Sequence, residues 1–130
     1  MKLLILPGDG IGPEIMDATR LVLDAAQARF DFPLEVVEDI IGFPSLEVHG
    51  TTIRDEVVAT AKAVDGVILS PVSHNDYPPS DEGGINPSGV LRKQLDIYAN
   101  IRPAKSHKGV PTPTGRPMDL VIVRENTEGF

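Results

Sequence analysis

Three arginines are the residues of this chain with the clearest chemical potential: Arg92, Arg102 and Arg124. Each lies in a segment whose other residues have the composition of buried or half-buried structure, and Arg124 ends an apolar, strand-like run. A guanidinium group is planar, stays charged at any working pH and binds a carboxylate through two parallel hydrogen bonds. Three such groups converging from different elements would bind a molecule with two or more carboxylates. The alternative is that all three are surface or salt-bridged arginines.

The bulk composition narrows the class of partner. At 130 residues the chain can form one compact domain, and its net charge of −7 argues against nucleic acid or an anionic membrane as a partner. An anionic substrate is not excluded, because a local cluster of arginines can reverse the field inside a cleft. The absence of cysteine excludes disulfides, thiol chemistry and cysteine metal sites. No apolar stretch is long enough to span a bilayer, and the N-terminal residues predict a strand rather than a secretory signal, so we expect a cytoplasmic protein.

Hydrophobic periodicity predicts alternating strands and helices, which indicates an α/β fold. The predicted strands are 2–6, 34–41, 67–70, 99–103 and 119–124, and the predicted helices are 13–30, 51–64 and 87–98. Residues 42–50 are interpreted as a turn or a short helical segment, and residues 71–85 and 105–117 as long loops.

Each predicted helix carries a signal of its own. In the first, six apolar positions recur at helical spacing: Ile15, Ala18, Leu21, Val22, Ala25 and Ala26. The second is expected to begin with Thr51 or Thr52 as its N-cap. The third is expected to bury a stripe formed by Leu91, Leu95 and Tyr98.

The last predicted strand carries Leu120, Ile122 and Arg124 on one face. We expect it to be a core strand with a functional arginine at its tip, after which the chain stops. A complete domain more often closes with a helix or a covered edge. The pattern therefore predicts a fragment of a larger fold.

A glycine-rich turn, Gly-Asp-Gly-Ile-Gly at residues 8–12, follows the first predicted strand and opens the first predicted helix. Dinucleotide-binding folds place their fingerprint at such a point, but that fingerprint would need a third glycine where this chain has Pro13. We interpret the segment as a tight turn with Pro13 at the helix start. Backbone N–H groups at that helix N-terminus could still face a cofactor.

Three segments together carry a family resemblance: LPGDGIGPEIM, LRKQLDIYANIRPAK and DLVIVRENTEGF. The chain resembles the isocitrate/isopropylmalate dehydrogenase family, the metal-dependent β-decarboxylating dehydrogenases, over essentially all of its length. Because the enzymes of that family are well over twice as long, the resemblance implies an N-terminal fragment. It also implies a two-domain α/β fold that is not a Rossmann fold, with residues 1–99 in the large domain and 100–130 in crossover strands to the smaller one. The family works as a homodimer.

The resemblance further implies that Arg92, Arg102 and Arg124 bind the malate-type carboxylates of the substrate. The catalytic tyrosine of the family would fall at position 131, beyond Phe130. The catalytic lysine, the aspartates that bind Mg²⁺ or Mn²⁺ and the main adenine-binding loop also lie downstream. We therefore expect no catalytic or metal-binding residue in the chain itself. The implied cofactor is NAD, with NADP not excluded.

Weaker assignments concern the surroundings of the site. Ile11 and Val72 fall where the family approaches the nicotinamide, and Asn126 is assigned to the cofactor because it follows Arg124 and Glu125 directly. Glu128 belongs either to the same surroundings or to a solvated loop. His74 and Asp76 could form a metal pair, although a loop position without further ligands is the alternative.

The residues before Arg92 bear on the substrate. Ser88 and Gly89 occupy the positions where isopropylmalate enzymes are expected to have leucine-like residues, and Asn86 and Ser88 match the isocitrate pair in type but in swapped order. A small or polar group at C3 of the substrate therefore fits at least as well as an isopropyl group. Asn86 and Ser88 could also simply cap the helix, and both roles can coexist.

The function implied is the NAD(P)-dependent oxidative decarboxylation of a 3-substituted malate, a small dicarboxylate or tricarboxylate hydroxy acid. A dehydrogenase of the tartrate or D-malate type, with a small polar C3 group, is the alternative. Another is a folded but inactive fragment that needs a partner chain or the missing half. Alone, the chain is expected to lack activity and to be of low stability or self-associating, because exposed strand edges and apolar faces would be left uncovered.

Overall fold

The computed structural model describes residues 1–126 and divides the chain into two compact units. The first is Met1–Leu95, and the second begins at Asp96. The mixture of strands and helices confirms the α/β class. The assignment of 1–99 and 100–130 to two domains of a larger fold stays a prediction.

The first unit contains three strands and four helices. These are β1 (Lys2–Leu6), α1 (Gly12–Phe30), β2 (Glu35–Glu38), α2 (Phe43–His49), α3 (Asp55–Ala63), β3 (Gly66–Leu69) and α4 (Pro87–Gln94). Two short 3₁₀ turns, His74–Asp76 and Ser80–Glu82, interrupt the loop between β3 and α4. The second unit contains the strands β4 (Ala99–Lys105) and β5 (Asp119–Glu125).

A parallel three-stranded sheet of order β2-β1-β3 forms the centre of the first unit. The central strand β1 reads Lys-Leu-Leu-Ile-Leu, and its four apolar residues are buried. A continuous apolar run is typical of a parallel strand that is covered on both faces. The main core cluster contains Leu4, Leu6, Ile41, Ile53, Val57, Val58, Ala61 and Leu91.

The helix predicted from the spacing of its apolar residues is present as α1, but these residues do not form its buried face. Ile15, Leu21 and Val22 are 42%, 72% and 68% exposed, whereas Gly12 and Met16 are the buried residues of the helix. The helix carries apolar residues on more than one face, and periodicity alone cannot say which of these faces meets the sheet.

The second predicted helix begins later than expected. α3 starts at Asp55, and neither Thr51 nor Thr52 caps it, since Arg54 holds the N-cap position without a side-chain cap. Thr52 is fully buried and uses its hydroxyl elsewhere. Residues 42–50 were interpreted as a turn or a short helical segment, and the helical interpretation is confirmed by α2.

The third predicted helix ends earlier than expected. α4 stops at Gln94, and Asp96 takes a left-handed φ of 49°, which turns the chain out of the helix. Leu91 is buried as predicted, but Tyr98 lies beyond the helix and is 92% exposed. The stripe is therefore confirmed at its start and wrong at its end.

The second unit is an antiparallel ribbon. β4 and β5 pair from Ala99 opposite Glu125 to Lys105 opposite Asp119, where the two side chains form an ion pair of 2.8 Å. Every residue of β5 is exposed. Within residues 1–126, β5 is therefore an exposed strand and not the core strand that was expected. Within residues 1–126, no helix is long and apolar enough to cross a membrane.

Candidate functional site

The helix α4 carries the first of the three arginines. Its N-cap is Asn86, whose Oδ1 accepts a hydrogen bond of 3.2 Å from the Gly89 amide, and Pro87 begins the first turn. Arg92 is half-buried one turn further on, where its Nε donates to the Ser88 carbonyl oxygen at 3.2 Å. This bond orients the guanidinium and leaves its two terminal nitrogens for other acceptors. Of the two candidate capping residues, Asn86 therefore caps the helix. The Ser88 hydroxyl takes no part in this cap.

A buried threonine holds the loop that leads into α4. The Thr52 hydroxyl donates to the Ile85 carbonyl oxygen at 2.5 Å and accepts from the Ile85 amide at 2.8 Å. The Thr52 amide donates to the Gly83 carbonyl oxygen at 3.0 Å. Thr52 thus fixes the entry to the helix that presents Ser88 and Arg92. Sequence reasoning missed this role, since threonine before a helix has the same appearance as an ordinary cap.

The ribbon carries the other two arginines on one of its faces. Arg102 lies opposite Ile122, and Arg124 lies opposite Asn100. Residues two apart on a strand, and residues directly opposite across a ladder, share a face, so Arg102 and Arg124 are diagonal neighbours. The Arg102 Nε donates to Asn100 Oδ1 at 3.2 Å. The structure therefore brings two of the three predicted arginines together, both of them exposed.

The ion pairs of the chain distinguish these arginines from others. Arg54 pairs with Asp39 at 2.5 Å, and Arg20 pairs with Glu38. Among residues 1–126, no carboxylate forms an ion pair with any of the three predicted arginines. The alternative that all three are salt-bridged is therefore not supported in this part of the chain, whereas a surface role remains open for Arg102 and Arg124.

The glycine-rich turn is held by Asp9, a residue that the sequence did not single out. Its carboxylate is 5% exposed and accepts hydrogen bonds from the amides of Phe43 (2.9 Å) and Ser73 (2.6 Å) and from the Tyr77 hydroxyl (2.6 Å). The Tyr77 ring also packs edge-on against Phe43, with 4.9 Å between centroids. Gly42, with φ of 74°, leaves room for the carboxylate, since a Cβ there would overlap Asp9 Oδ2.

Electrostatics agree with this geometry. Burial by itself would raise the pKa of Asp9, but the hydrogen bonds from Tyr77, Phe43 and Ser73 outweigh that effect and hold the pKa below its usual value. Burial, with the hydrogen bond and negative charge of Asp9, raises the pKa of Tyr77. Asp9 is thus a carboxylate and Tyr77 a phenol at neutral pH. The signal available in the sequence was an acidic residue between two glycines, Gly8 and Gly10, both of which the structure shows to have a left-handed φ.

The residues assigned to the cofactor lie in different settings. Ile11 is 59% exposed at the N-cap of α1, and Val72 is half-buried in the loop after β3. Asn126 donates from its side-chain amide to the Ile97 carbonyl oxygen at 2.9 Å, so this group already serves the second unit. Glu128 lies outside the described residues. The roles of Ile11, Val72 and Asn126 stay predictions.

The metal expected for the family finds no ligand set in this part of the chain. His74 and Asp76 share a 3₁₀ turn, but residues 1–126 contain no group of three or more His, Cys, Asp or Glu side chains that could hold a metal ion. The donors present in this part of the chain therefore do not fit Mg²⁺ or Mn²⁺.

Comparison with known proteins identifies the family. The family model of isocitrate/isopropylmalate dehydrogenase matches residues 2–130. The 3-isopropylmalate dehydrogenase of Gluconobacter oxydans is 38% identical over 99% of this chain and 37% of its own length. The isocitrate/homoisocitrate dehydrogenase of Thermus thermophilus is 41% identical over 99% of this chain and 36% of its own length.

Solved structures agree. The crystal structure of isocitrate dehydrogenase from Methylococcus capsulatus superimposes with a TM-score of 0.80 at 34% identity, covering 98% of this chain and 35% of that one. The β-decarboxylating dehydrogenase of Thermococcus kodakarensis gives a TM-score of 0.70 at 33% identity, covering 98% and 34%. The chain thus spans little more than a third of the proteins it matches, and the expected fold is confirmed. On these matches, together with the motif arginines and the α/β architecture, the chain belongs to the isocitrate/isopropylmalate dehydrogenase family.

Proposed function

We propose that this chain supplies the substrate-binding arginines of an NAD(P)-dependent β-decarboxylating dehydrogenase that oxidises a 3-substituted malate. The observation that carries the proposal is the state of Arg92, Arg102 and Arg124. All three lie in the motifs of the family resemblance, and none forms an ion pair with a carboxylate of residues 1–126. Arginines without an internal partner are available to a ligand that brings its own carboxylates.

The arginines orient the substrate and do not exchange protons with it. Their pKa is too high for acid or base catalysis, whereas their planar donors fix the direction of a carboxylate. A bound nicotinamide would accept the hydride from C2 of the substrate, while a base outside residues 1–126 takes the proton of the C2 hydroxyl. The resulting β-keto acid would lose its C3 carboxylate as carbon dioxide and leave an enolate, which is then protonated at C3. Holding the carboxylates aligns C2 with the acceptor, which lowers the entropic part of the barrier.

Ser88 is the residue of this chain best placed to select the C3 group. It lies in the first turn of α4, is half-buried, and precedes Arg92 by one turn, while Asn86 is engaged as the cap. A hydroxyl next to the substrate-binding arginine favours a polar C3 substituent, as in an isocitrate-type substrate. The pair Ser88-Gly89 also supports a second candidate, a tartrate- or D-malate-type dehydrogenase with a small C3 group.

The remaining parts of the proposal follow from the family. Mg²⁺ or Mn²⁺ would be bound by residues outside 1–126, and the active assembly would be a cytoplasmic homodimer. The 130-residue chain alone would be inactive.

The test is reduction of NAD and of NADP, with Mn²⁺, by isocitrate, isopropylmalate, tartrate and malate in turn. It is run on this 130-residue chain and on a version continued past Phe130 into the catalytic region of the family. Turnover only by the continued version, with one preferred hydroxy acid, is the expected result and also names the C3 group. Turnover by the 14.0 kDa chain itself would overturn the proposal that the catalytic and metal-binding residues lie outside this chain. Failure of the continued, folded protein with every hydroxy acid would overturn the activity.

A further inference from the structure

Asp9 uses every polar atom it has, and its amide and both carboxylate oxygens connect its own turn to two other segments. Its side chain accepts from Ser73, Tyr77 and Phe43, as described above. Its amide donates to the Pro71 carbonyl oxygen at 3.3 Å, and its carbonyl oxygen accepts from the Gly12 amide at 2.8 Å. One buried residue thereby connects the glycine-rich turn, the start of α2 and the loop after β3.

These bonds bracket the two residues assigned to the nicotinamide. Val72 lies between Pro71 and Ser73, and both neighbours are bonded to Asp9. Ile11 lies inside the turn that the bond from Gly12 to the Asp9 carbonyl oxygen closes. A Cβ on Gly8, which has φ of 72°, would overlap the Pro71 carbonyl oxygen, so the two segments pack backbone to backbone.

The chemistry of the contacts requires a carboxylate. Three donors converge on its two oxygens, and an ionised carboxylate is an acceptor only. An asparagine at this position would turn its NH₂ group towards one of those donors. Among residues 1–126, no cation forms an ion pair with Asp9, so hydrogen bonds alone offset the cost of burying its charge. Nothing in the assigned roles of the three arginines requires such an arrangement.

We propose that Asp9 is a positioning residue whose carboxylate, with the Tyr77 hydroxyl, locks loop 71–77 onto the glycine-rich turn and so presents Ile11 and Val72 together as a preformed nicotinamide-facing surface. The cofactor part of this inference rests on the proposed function, whereas the loop lock does not. Preforming a surface improves binding, because a ligand then does not pay to order the loop.

The lock is tested by amide hydrogen exchange on this chain and on the variants Asp9→Asn and Tyr77→Phe. We expect exchange at the Ser73 amide to become at least about tenfold faster in Asp9→Asn, since the bond lost is one to a charged group. Amides of the central strand β1 should keep their protection. Tyr77→Phe, the milder change, keeps the test usable if Asp9→Asn does not fold. Unchanged exchange at Ser73 in both variants would overturn the inference.

Two matched variants control for the chemistry of substitution. Asp76→Asn makes the same change on an exposed residue of the same loop, and Tyr98→Phe does so on a tyrosine that is 92% exposed. Both should exchange like the parent chain. A double-mutant cycle of Asp9→Asn with Tyr77→Phe should be non-additive, because the two side chains share one hydrogen bond. Additive effects would contradict a joint lock.

The cofactor readout is the methyl NMR signals of Ile11 and Val72 during titration with NAD. The parent protein for this readout, and the background of each variant in it, is the version continued past Phe130, because the family resemblance places the main adenine-binding loop downstream. If Tyr77→Phe leaves the loop in place in about one molecule in ten, the apparent affinity falls about tenfold. Leu3→Ala, a change at a buried residue that pairs with Gly66 at the start of β1 and lies outside the core cluster that Val72 packs against, should leave affinity unchanged, which separates positioning from general destabilisation. Equal affinity in Tyr77→Phe and the parent protein, with Ser73 exchange accelerated, would overturn positioning. Absence of any shift in the parent protein would instead overturn the assigned nicotinamide contacts, while the exchange data still decide the lock.

Discussion

At the scale of single residues, the hydrogen-bond and ion-pair partners of the arginines distinguish residues that have the same appearance in the sequence. Arg20 and Arg54 pair with carboxylates of the first unit, whereas Arg92 bonds to a backbone carbonyl and Arg102 to an asparagine. An arginine paired internally adds to structure, and one that keeps free donors can bind an anion. Partners also indicate the role of a carboxylate. The oxygens of Asp9 accept three hydrogen bonds from within the chain, which gives this residue a structural role.

Replacing Arg92 by lysine should weaken use of the hydroxy acid in the version of the protein continued past Phe130. Lysine keeps the charge but loses the planar, forked donors, so kcat/KM for the hydroxy acid should fall about 10- to 100-fold, with the KM for NAD little changed. Arg116→Lys, in the exposed loop before β5, is the matched control and should behave like the parent. Equal kcat/KM in the two variants would argue against a substrate role for Arg92.

Asp9 should make the first unit sensitive to acid. Because its pKa in the folded chain lies below the unfolded value of about 3.9, its contribution to stability is present above that pH and is lost as pH falls through the folded pKa. Tyr77, the titratable residue in contact with it among those described, has a raised pKa, so its contribution is lost only above about pH 10. Unfolding free energy measured by urea titration from pH 6 down to 2 should therefore drop more steeply in the parent chain than in Asp9→Asn. Parallel curves would contradict this assignment.

At the scale of elements, the position of α4 depends on a residue outside it. Thr52 lies 33 residues before Ile85, yet its hydroxyl bonds to the amide and the carbonyl oxygen of that residue and also contacts the Gly83 carbonyl oxygen at 3.2 Å. The helix itself is short and is capped by Asn86. The Asn86 cap explains why the helix begins at Pro87. The hydrogen bonds from buried Thr52 explain how that end of the helix is held in place in the fold.

Thr52→Val should loosen the entry to α4. Valine has nearly the same shape but removes, at a fully buried position, the hydroxyl that bonds to the Ile85 amide and to the Ile85 carbonyl oxygen, which should cost about 1–3 kcal/mol of unfolding free energy. Thr60→Val, on α3, removes a hydroxyl that bonds only to the Glu56 carbonyl oxygen of its own helix, and should cost within about 0.5 kcal/mol. Denaturant titration of both variants measures the difference. Equal losses would show that the Thr52 hydroxyl does not support the loop.

At the scale of the whole chain, large apolar side chains remain exposed on both units. Leu21 and Val22 are 72% and 68% exposed on α1, and Val121 and Val123 are each 64% exposed on β5. Exposed apolar side chains favour association, and a ribbon of two strands has unpaired edges.

The isolated chain should therefore self-associate. Sedimentation velocity over a range of concentrations should show species larger than 14.0 kDa at the higher ones. Leu21→Lys combined with Val22→Glu should shift the distribution towards monomer, because charges on that face oppose its burial. Thr60→Val serves as the control that leaves this face unchanged. A monomer at every concentration, with a sharp thermal transition, would contradict the expectation of low stability or self-association.

The sequence by itself determined the features that depend on local spacing and on motifs. The bounds of β1, the α/β class, the end of α1 at Phe30 and the start of α4 at Pro87 were predicted from residues close together in the chain, because periodicity and turn chemistry act over a few positions. The family was recognised from three motif segments that resemble it. The arginines were found in the same way, and their roles stay predictions.

Only the tertiary structure decided which partners these residues meet. Asp9 and Tyr77 are 68 residues apart, and the face that α1 buries depends on a sheet whose edge strands lie on either side of β1. Thr52 has the appearance of a cap until the loop 83–85 folds over it. Sequence patterns within a helix or strand indicate which of its residues can be buried and which can form hydrogen bonds. Which of its faces or polar atoms is used depends on the packing of segments that are distant in the chain, and that packing has no local signature.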